Sequence, residues 1–276
     1  MGMVFCPLFS GSTGNACFVA TENTRVLVDA GITASTLVKA LDQVGCDPHH
    51  LDGILVTHEH IDHIKGIGVL DRRYGSGVLA RRYGIRIYAN ELTWIAMDVS
   101  GKLGTIPDRC RVVYESGRDF ALGDMRITPL PISHDAADPA GYLLDQGMHR
   151  VGIATDTGVL PKAVLDALSS CEIVLLESNH DEELLERNPR YPVQLKRRIL
   201  GKKGHLSNAS AGEAAVELTR MGVPRIALGH LSQHNNTPEL AFDTVAEALL
   251  AADIRPGRDL EMALTWPDRI GRVWVL

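Results

Sequence analysis

The sequence predicts an α/β fold, in which short buried strands alternate with amphipathic helices and carry polar side chains at their ends. The strands are short β-branched runs such as 53–56, bounded by polar residues. The helices place apolar residues at helical spacing, as in 35–44, where Leu37, Leu41 and Val44 share one face. Several strands end in histidine or aspartate, and open α/β sheets place their chemistry at strand ends.

The predicted elements follow one another along the chain without a linker, a low-complexity tract or a repeat. Glycines at 11 and 14 favour a turn after the first strand, and Thr237-Pro238-Glu239 is typical of a helix start. The expected strands are 3–9, 16–20, 27–28, 53–56, 86–89, 111–114, 125–130, 141–144, 150–154, 173–176, 225–228, 260–265 and 272–275. The expected helices are 35–44, 91–99, 161–168, 209–221 and a last one from 237. We therefore expect one domain over residues 1–276.

Composition excludes several classes of protein. The chain of 276 residues is 45% hydrophobic, and it contains no apolar run of transmembrane length. Its beginning lacks the basic and apolar regions of a signal peptide. The five cysteines are scattered and form no CxxC pair, which favours buried thiols in a reducing cytoplasm. A net charge of −6 argues against indiscriminate binding of nucleic acid.

The octapeptide Thr57-His58-Glu59-His60-Ile61-Asp62-His63-Ile64 carries the strongest functional signal. It follows a predicted buried strand and presents three imidazoles and two carboxylates within six residues. In an extended segment His58 and His60 point the same way, and a tight turn can bring Asp62 and His63 to a second point. This pattern favours two adjacent metal ions; the alternative is a solvated loop that is rich in histidine.

Further histidines and carboxylates follow later strands and would complete such a site. His134, Asp156 and His230 each come shortly after an apolar strand, and Asp29 ends an earlier one. Taken alone, each could be an ordinary core or surface residue, and Asp29 could orient a metal-binding loop. Nitrogen and oxygen donors without thiolates suit Zn²⁺ best, with Mn²⁺ or Fe as alternatives. Together the residues predict a metal site at one edge of a sheet.

Residues 187–203 are the main charge anomaly, because they hold seven basic residues and no acidic one in an acidic chain. Several of them could contact the phosphates of a polyanionic substrate. The candidate contacts are Lys196, Arg197, Arg198, Lys202 and Lys203.

Two other segments could meet an anionic substrate. Arg72-Arg73-Tyr74 and Arg81-Arg82-Tyr83 could grip phosphates or stack a base, although a solvated face is the favoured interpretation. The loop 10–15 is either a simple turn or a place where backbone N–H groups approach an anion, with Ser12 and Asn15 as candidate contacts.

The sequence resembles the metallo-β-lactamase-fold hydrolase superfamily and, more narrowly, its nuclease-type YycJ/WalJ family. The superfamily signature is matched in order from the first strand to His230. The narrower resemblance rests on Ser10-Gly11-Ser12-x-Gly14-Asn15, Ser133-His134-Asp135-Ala136-Ala137-Asp138-Pro139, Glu177-Ser178-Asn179-His180-Asp181, Gly204-His205-Leu206-Ser207-Asn208 and His230-Leu231-Ser232-x-x-Asn235-Asn236. The resemblance implies a four-layered αββα sandwich, a dinuclear metal site and a phosphodiesterase activity on DNA.

Carried over by position, the resemblance implies two groups of metal ligands joined by one carboxylate. The implied ligands are His58, His60 and His134 for the first metal, Asp62, His63 and His230 for the second, and Asp156 as the bridge. A hydroxide shared by two such metals could attack a phosphodiester in line. Asp62 could in addition take the proton of the attacking water.

The same resemblance implies supporting roles around the ligands. His205 lies in a Gly-His-Leu-Ser context similar to that of the tRNA 3′-processing ribonucleases, and could contact the phosphate or protonate the leaving group. Helix capping is the alternative for His205, and Ser207 is a further candidate substrate contact. Glu177 and His180, like Asp29, would lie behind the metal ligands.

The predicted function is a metal-dependent nuclease, with a DNA exonuclease as the first hypothesis and DNA preferred over RNA. The HxHxDH motif also occurs in thioesterases, lactonases and β-lactamases, so another hydrolase or a small-molecule phosphodiesterase is the alternative within enzymes. A metal-bound interaction module in a DNA-repair complex is the non-enzymatic alternative. No membrane contact is expected, and the sequence allows a homo-oligomer.

Overall fold

The computed structural model describes residues 2–74 and 85–276, so the segment Arg81-Arg82-Tyr83 lies outside the described residues. In the described part of the chain, fourteen strands form two sheets of seven strands each. The strands are β1 (Val4–Phe9), β2 (Ala16–Ala20), β3 (Arg25–Val28), β4 (Gly53–Leu55), β5 (Arg86–Asn90), β6 (Arg111–Tyr114), β7 (Phe120–Leu122), β8 (Met125–Pro131), β9 (Ala140–Asp145), β10 (Arg150–Ala154), β11 (Ile173–Glu177), β12 (Arg225–Gly229), β13 (Glu261–Leu264) and β14 (Trp274–Val275).

Both sheets combine antiparallel and parallel strands. The first sheet has the order β14-β1-β2-β3-β4-β5-β6 and is parallel from β3 to β6. The second has the order β13-β12-β11-β10-β9-β8-β7 and is parallel from β10 to β13. The chain therefore completes most of the first sheet before it begins the second, and β14 returns to the first sheet beside β1.

The described helices connect the parallel strands or follow them. They are α1 (Ala34–Gln43), α2 (Ile61–Ile64), α3 (Ile67–Tyr74), α4 (Glu91–Ser100), α5 (Lys162–Leu168), α6 (Glu182–Arg187), α7 (Val193–Ile199), α8 (Asn208–Arg220) and α9 (Pro238–Ala251). Short 3₁₀ turns lie at Pro48–His50 and Asp108–Cys110. The predicted helices are present within one residue of their expected bounds, whereas α2, α3, α6 and α7 occupy regions for which the sequence predicted no helix.

Three hydrophobic clusters define four layers. In β11, Ile173 and Leu175 join the cluster between the two sheets, while Val174 and Leu176 pack with α5, α8 and α9. This alternation follows from the two-residue period of a strand. The first sheet repeats it on its own outer face, where Leu27 packs with α1 and α4. The predicted αββα sandwich is therefore confirmed.

The ends of the parallel strands meet at one edge of the sandwich. The register pairs Ala154 with Leu176 and Leu176 with Leu228, so β10, β11 and β12 end side by side. In the first sheet, Val28 pairs with Leu55 at the corresponding ends of β3 and β4. The residues that follow these strands include the histidines and aspartates that the sequence predicted as metal ligands or as residues that orient them.

No helix in the described part of the chain combines the length and the apolar character that crossing a membrane requires.

Candidate metal centre

The first group of donors consists of His58, His60 and His134, whose ligating atoms lie within 4.8 Å of one another. His58 is completely buried, and its Nδ1 lies 3.0 Å from Thr57 Oγ1. His134 Nδ1 donates a hydrogen bond of 3.1 Å to the carbonyl of Gly204. A histidine that engages one ring nitrogen in this way presents the other as a ligand. The structure thus brings together the three histidines expected for the first metal.

The second group consists of Asp62, His63 and His230, whose donor atoms also lie within 4.8 Å of one another. His63 is completely buried and donates from Nδ1 to Asp29 Oδ2 over 2.8 Å. Asp29 in turn accepts hydrogen bonds from the backbone and the hydroxyl of Thr57, at 2.9 and 2.8 Å. This carboxylate–histidine arrangement fixes the tautomer of His63 and leaves Nε2 for a metal.

Asp156 lies between the two groups. Its Oδ2 is 3.4 Å from His63 Nε2, and its Oδ1 is 3.0 Å from His230 Nδ1 and 3.9 Å from His134 Nε2. These separations place one carboxylate against members of both groups, as a bridging ligand requires. The role of Asp156 as a bridge stays a prediction, with its carboxylate in contact with residues of both groups.

Buried polar atoms without partners show that these residues fit metal ions. Asp156 Oδ2 and His230 Nδ1 are buried, yet among the described residues neither makes a hydrogen bond of acceptable geometry. Polar atoms in a protein interior are normally paired, because an unpaired buried group costs about 1–3 kcal/mol. A nitrogen- and oxygen-rich donor set without sulfur suits Zn²⁺, Mn²⁺ or Fe.

The backbone is strained at the same place. Asp29, Asp156 and His230 have φ angles of 63°, 59° and 55°, in the left-handed region that residues with a side chain seldom adopt. Each follows the end of a strand; the side chains of Asp156 and His230 lie among the donors, and that of Asp29 contacts His63. Strain of this kind, on the order of 1–3 kcal/mol per residue, concentrates at functional sites.

Electrostatics separates neutral from charged groups in the centre. Burial lowers the pKa of His58 well below its ordinary value, so this ring is neutral, as a metal ligand must be. Burial opposes ionisation of Asp156, but the facing His230 and His63 hold the pKa of this carboxyl well below its usual range. Burial alone would lower the pKa of His63, but Asp156 and Asp29 raise it to about 9.

A second carboxylate–histidine pair adjoins the centre. His205 Nδ1 donates to Glu177 Oε1 over 2.7 Å, and Glu177 Oε2 accepts from the backbone of Thr157 at 2.8 Å. Burial opposes ionisation of Glu177, but His205 and His230 lower its pKa to about 2. His205 lines an open cleft while Glu177 is completely buried. Asp156, Glu177, His205 and His230 form a further cluster of possible metal donors.

The residues expected to contact substrate fall in different environments. Ser12 is exposed and lines the cleft beside His205. Asn15 is buried: its Oδ1 accepts from the Gly11 backbone at 2.9 Å, and its Nδ2 lies 3.1 Å from His63 Nε2. Asn15 is therefore buried beside the ring nitrogen of His63 that faces the centre, rather than on the surface.

Ser207 caps a helix. It is buried, and its Oγ accepts from the backbone of Ser210 at 3.2 Å at the beginning of α8. The structure thus gives Ser207 a structural position in place of the predicted substrate contact. It also assigns to Ser207 the capping role that the sequence allowed for His205.

The basic segment forms one rim of the cleft. Arg198 pairs with Asp135, whose Oδ1 lies 3.3 Å from His134 Nε2, so this arginine reaches the first group of donors. Lys196 donates from Nζ to the carbonyl of Glu186 over 2.6 Å. Arg197 is exposed on α7. Lys202 and Lys203, also exposed, follow α7.

His180 takes no direct part in the clusters of possible metal donors. It is buried, and neither ring nitrogen has a hydrogen-bond partner among the described residues. Burial lowers its pKa to about 4. A neutral, buried ring behind Glu177 agrees with a supporting position.

Several residues that position the candidate ligands had no role assigned to them from the sequence. Ser10 Oγ accepts from the backbone of His230 at 2.8 Å, and Asn179 Nδ2 donates to the carbonyl of His230 at 2.7 Å. Tyr142 is completely buried and donates from its hydroxyl to the carbonyl of Val56 at 2.5 Å, immediately before the histidine cluster. These contacts join distant parts of the chain, so the available signal was that Ser10 and Asn179 lie in motifs that carry the family resemblance, without any role attached to them.

Comparison with known proteins identifies the class to which this fold and site belong. The family model of the β-lactamase superfamily domain matches residues 24–231. The chain therefore belongs to the β-lactamase superfamily, as the sequence predicted.

Its relatives at higher identity are nucleases. Exodeoxyribonuclease WalJ of Streptococcus pneumoniae serotype 2 is 38% identical over 268 residues, which cover 97% of this chain and 96% of WalJ. Exodeoxyribonuclease YycJ of Bacillus anthracis is 37% identical over 267 residues, which cover 97% of each chain. These identities place the chain in the WalJ/YycJ family, so the narrower resemblance is confirmed.

Solved structures agree on the fold. The metallo-β-lactamase-fold protein YhfI of Bacillus subtilis superposes with a TM-score of 0.73 at 17% identity over the full length of both chains. Unliganded yeast PDE1 superposes with a TM-score of 0.69 at 11% identity, over 98% of this chain and 99% of PDE1. At these identities the likeness concerns the fold alone.

Proposed function

We propose that this protein is a divalent-metal-dependent exodeoxyribonuclease. The observation that carries the proposal is the convergence of seven donor residues, in two groups with a shared aspartate, in a chain related over nearly its full length to two exodeoxyribonucleases. Nucleic acid is then the substrate class, and DNA is preferred over RNA because both relatives carry the name of DNA exonucleases.

Two ions, with Zn²⁺ preferred and Mn²⁺ or Fe as alternatives, would be held by the two groups and by Asp156. Bound ions would supply Lewis-acid activation of the phosphodiester and of the attacking water at neutral pH. Support for two positions comes from the separate clusters around His58 and around Asp62, each with its donor atoms within 4.8 Å.

The chain's own residues would handle the protons. Asp62 is the partly exposed carboxylate of the second group, with 24% of its side chain accessible, so it can accept a proton from an attacking water. His205 is suited to deliver one to the leaving oxygen, since Glu177 engages Nδ1 and leaves Nε2 as the other ring nitrogen. Glu177 would hold the ring of His205 in this orientation through the same hydrogen bond.

The rim of the cleft would bind the substrate backbone. Arg198 and Ser12 line the cleft, Lys203 lines a neighbouring pocket with His134, and Arg197 and Lys202 are exposed cations of the same basic segment. Cations in such positions bind phosphates in a manner that weakens as salt increases. The five cysteines are buried thiols outside any disulfide, which supports the expected reducing compartment. Association of copies stays a prediction that light scattering would test.

The decisive experiment uses end-labelled linear DNA and closed circular DNA with Zn²⁺ or Mn²⁺ added to chelator-treated protein. We expect stepwise release of nucleotides from linear DNA, no cleavage of the circle, and loss of activity in excess chelator. Asp156→Ala should abolish release, whereas Arg220→Ala, at the far end of α8, should not change it. Hydrolysis of a small diester without any release from DNA would favour a small-molecule phosphodiesterase instead.

A further inference from the structure

The cleft beside the candidate centre has an apolar surface that phosphodiester hydrolysis does not require. Tyr191, Leu195 and Ile199 line it, all from the loop before α7 or from α7 itself. The same cleft is lined by His205, which connects it to the centre through Glu177. A chemical group that binds in this cleft would therefore contact an apolar surface of the protein and would lie next to the reacting phosphate.

The size of the cleft limits what it can hold. Its volume is about 160 Å³. That is roughly ten times the space that one water needs, but well below the 300–1,000 Å³ of sites that enclose a whole small ligand. The cleft can therefore take one planar ring system, and a base-paired duplex cannot enter it.

Tyr191 is fixed in position by the loop that carries a ligand of the centre. Its ring packs edge-on against His234, with the ring centroids 6.4 Å apart and an interplanar angle of 89°. The backbone N–H of Tyr191 donates to Asn188, whose Nδ2 donates to Asn235 Oδ1 over 2.6 Å. The aromatic surface is thus tied to the segment that follows His230.

We propose that this cleft binds the unpaired nucleobase adjacent to the scissile phosphate, with Tyr191 as its stacking surface. The proposal rests on the proposed nuclease function and specifies its substrate: a nucleotide at a frayed strand end. Stacking accepts every base, because each has a π face, and the hydroxyl of Ser12 in the lining can donate to or accept from any base edge. An interior nucleotide must first be unpaired and unstacked, so strand ends are favoured.

The test measures binding without cleavage. Single-stranded oligonucleotides carry either a normal nucleotide or an abasic analogue at the 5′ or the 3′ end, with a fluorophore at the opposite end. Their affinity for the full-length protein in excess chelator is measured by fluorescence anisotropy. We expect wild-type protein to prefer the normal nucleotide over the abasic one about tenfold at one of the two ends.

Variants assign that preference to the cleft. Tyr191→Ala should remove it, Tyr191→Phe should retain it, and Val193→Ala, two residues away with an exposed side chain, should behave as wild type. Equal binding of normal and abasic ends by wild-type protein, or a preference that survives in Tyr191→Ala, would overturn the proposal.

A parallel assay separates this proposal from the proposed function. The same oligonucleotides are incubated with metal-loaded protein, and released nucleotides are counted. If binding shows a Tyr191-dependent preference for the normal nucleotide but no nucleotide is released, the cleft is a base-binding site and the proposed nuclease function is rejected. Release that is indifferent to the abasic end would support the nuclease and reject the stacking role of Tyr191.

Discussion

At the scale of single residues, the candidate centre depends on side chains that hold the histidines as much as on the histidines themselves. Thr57 is the main example, because its hydroxyl lies within 3.2 Å of Asp29, of His58 and of His63. One small side chain therefore orients a member of each donor group. Metal sites are normally built with such outer contacts, which fix the ligating nitrogen before any ion arrives.

Asp29→Asn should weaken metal binding by about 10- to 100-fold. Both carboxylate oxygens of Asp29 accept hydrogen bonds, from the backbone of Thr57 on one side and from His63 on the other. In either orientation, the asparagine amide would point its NH₂ group at one of these two N–H donors, so it could not accept hydrogen bonds from both. Chelator competition measures the metal affinity.

The matched control is Asp52→Asn, because Asp52 also accepts from a backbone N–H, that of Arg25, but in an exposed position before β4. Its metal affinity should equal that of the wild type. An Asp29→Asn protein with unchanged affinity would show that the contact to His63 does not support the site.

The buried thiols lead to a second prediction at this scale. Burial raises the pKa of Cys6 and of Cys171 to about 12, so at pH 8 only roughly one thiol in ten thousand is the reactive thiolate. Iodoacetamide should label none of the five cysteines in the folded protein, and all five after unfolding in denaturant. Mass spectrometry counts the labels; rapid labelling of native protein would contradict the burial of these groups.

At the scale of elements, α7 shows what sequence patterns reveal and what they hide. The segment 187–203 was recognised by its charge, but not as a helix, because α7 is short, has no buried residue, and carries on its cleft-facing side only the apolar pair Leu195 and Ile199. Its arginines and lysines were predicted to act together. In the structure Arg198 and Lys196 already have partners, whereas Arg197 is exposed.

Arg197→Ala should reduce the salt dependence of DNA binding. If Arg197 contacts one phosphate, its removal lowers the slope of log affinity against log salt by about 0.9. The slope is measured by titrating labelled DNA at several salt concentrations in excess chelator. Arg220→Ala is the matched control: it removes an exposed arginine about 20 Å from the beginning of α8, and its slope should equal the wild-type slope. Equal slopes for both variants would exclude a phosphate contact at Arg197.

At the scale of the whole molecule, the sequence predicted which strands end in candidate metal ligands better than it predicted what supports them. Apolar runs followed by histidine or aspartate are local signals, and they pointed to all seven candidate donors. The contacts of Tyr142 with Val56 and of Ser10 with His230 span 86 and 220 positions. Such pairings follow from the packing of two sheets, and no local pattern predicts them. The same holds for the capping of α8 by Ser207 in place of His205.

We propose that residues 1–276 form one cooperative unit, since the donors come from the ends of strands in both sheets. Calorimetry should show a single unfolding transition. At a free metal concentration 100 times the dissociation constant, binding adds about 2.7 kcal/mol, which corresponds to roughly 5–10 °C in Tm. Asp156→Ala should show little of this shift. Two separate transitions, or a Tm that is indifferent to metal, would contradict the proposal.

The pairing of β14 with β1 has a consequence for chain connectivity. Val4 lies opposite Val275, and the N–H of Leu276 donates to the carbonyl of Met3 over 2.9 Å, so the two ends of the described chain are neighbours. A short peptide could link them, and new termini could be opened in the exposed turn 146–149 between β9 and β10. A circularly permuted polypeptide of this kind would present the same edge of strand ends, because that edge depends on how the strands pack and not on the order in which they are synthesised.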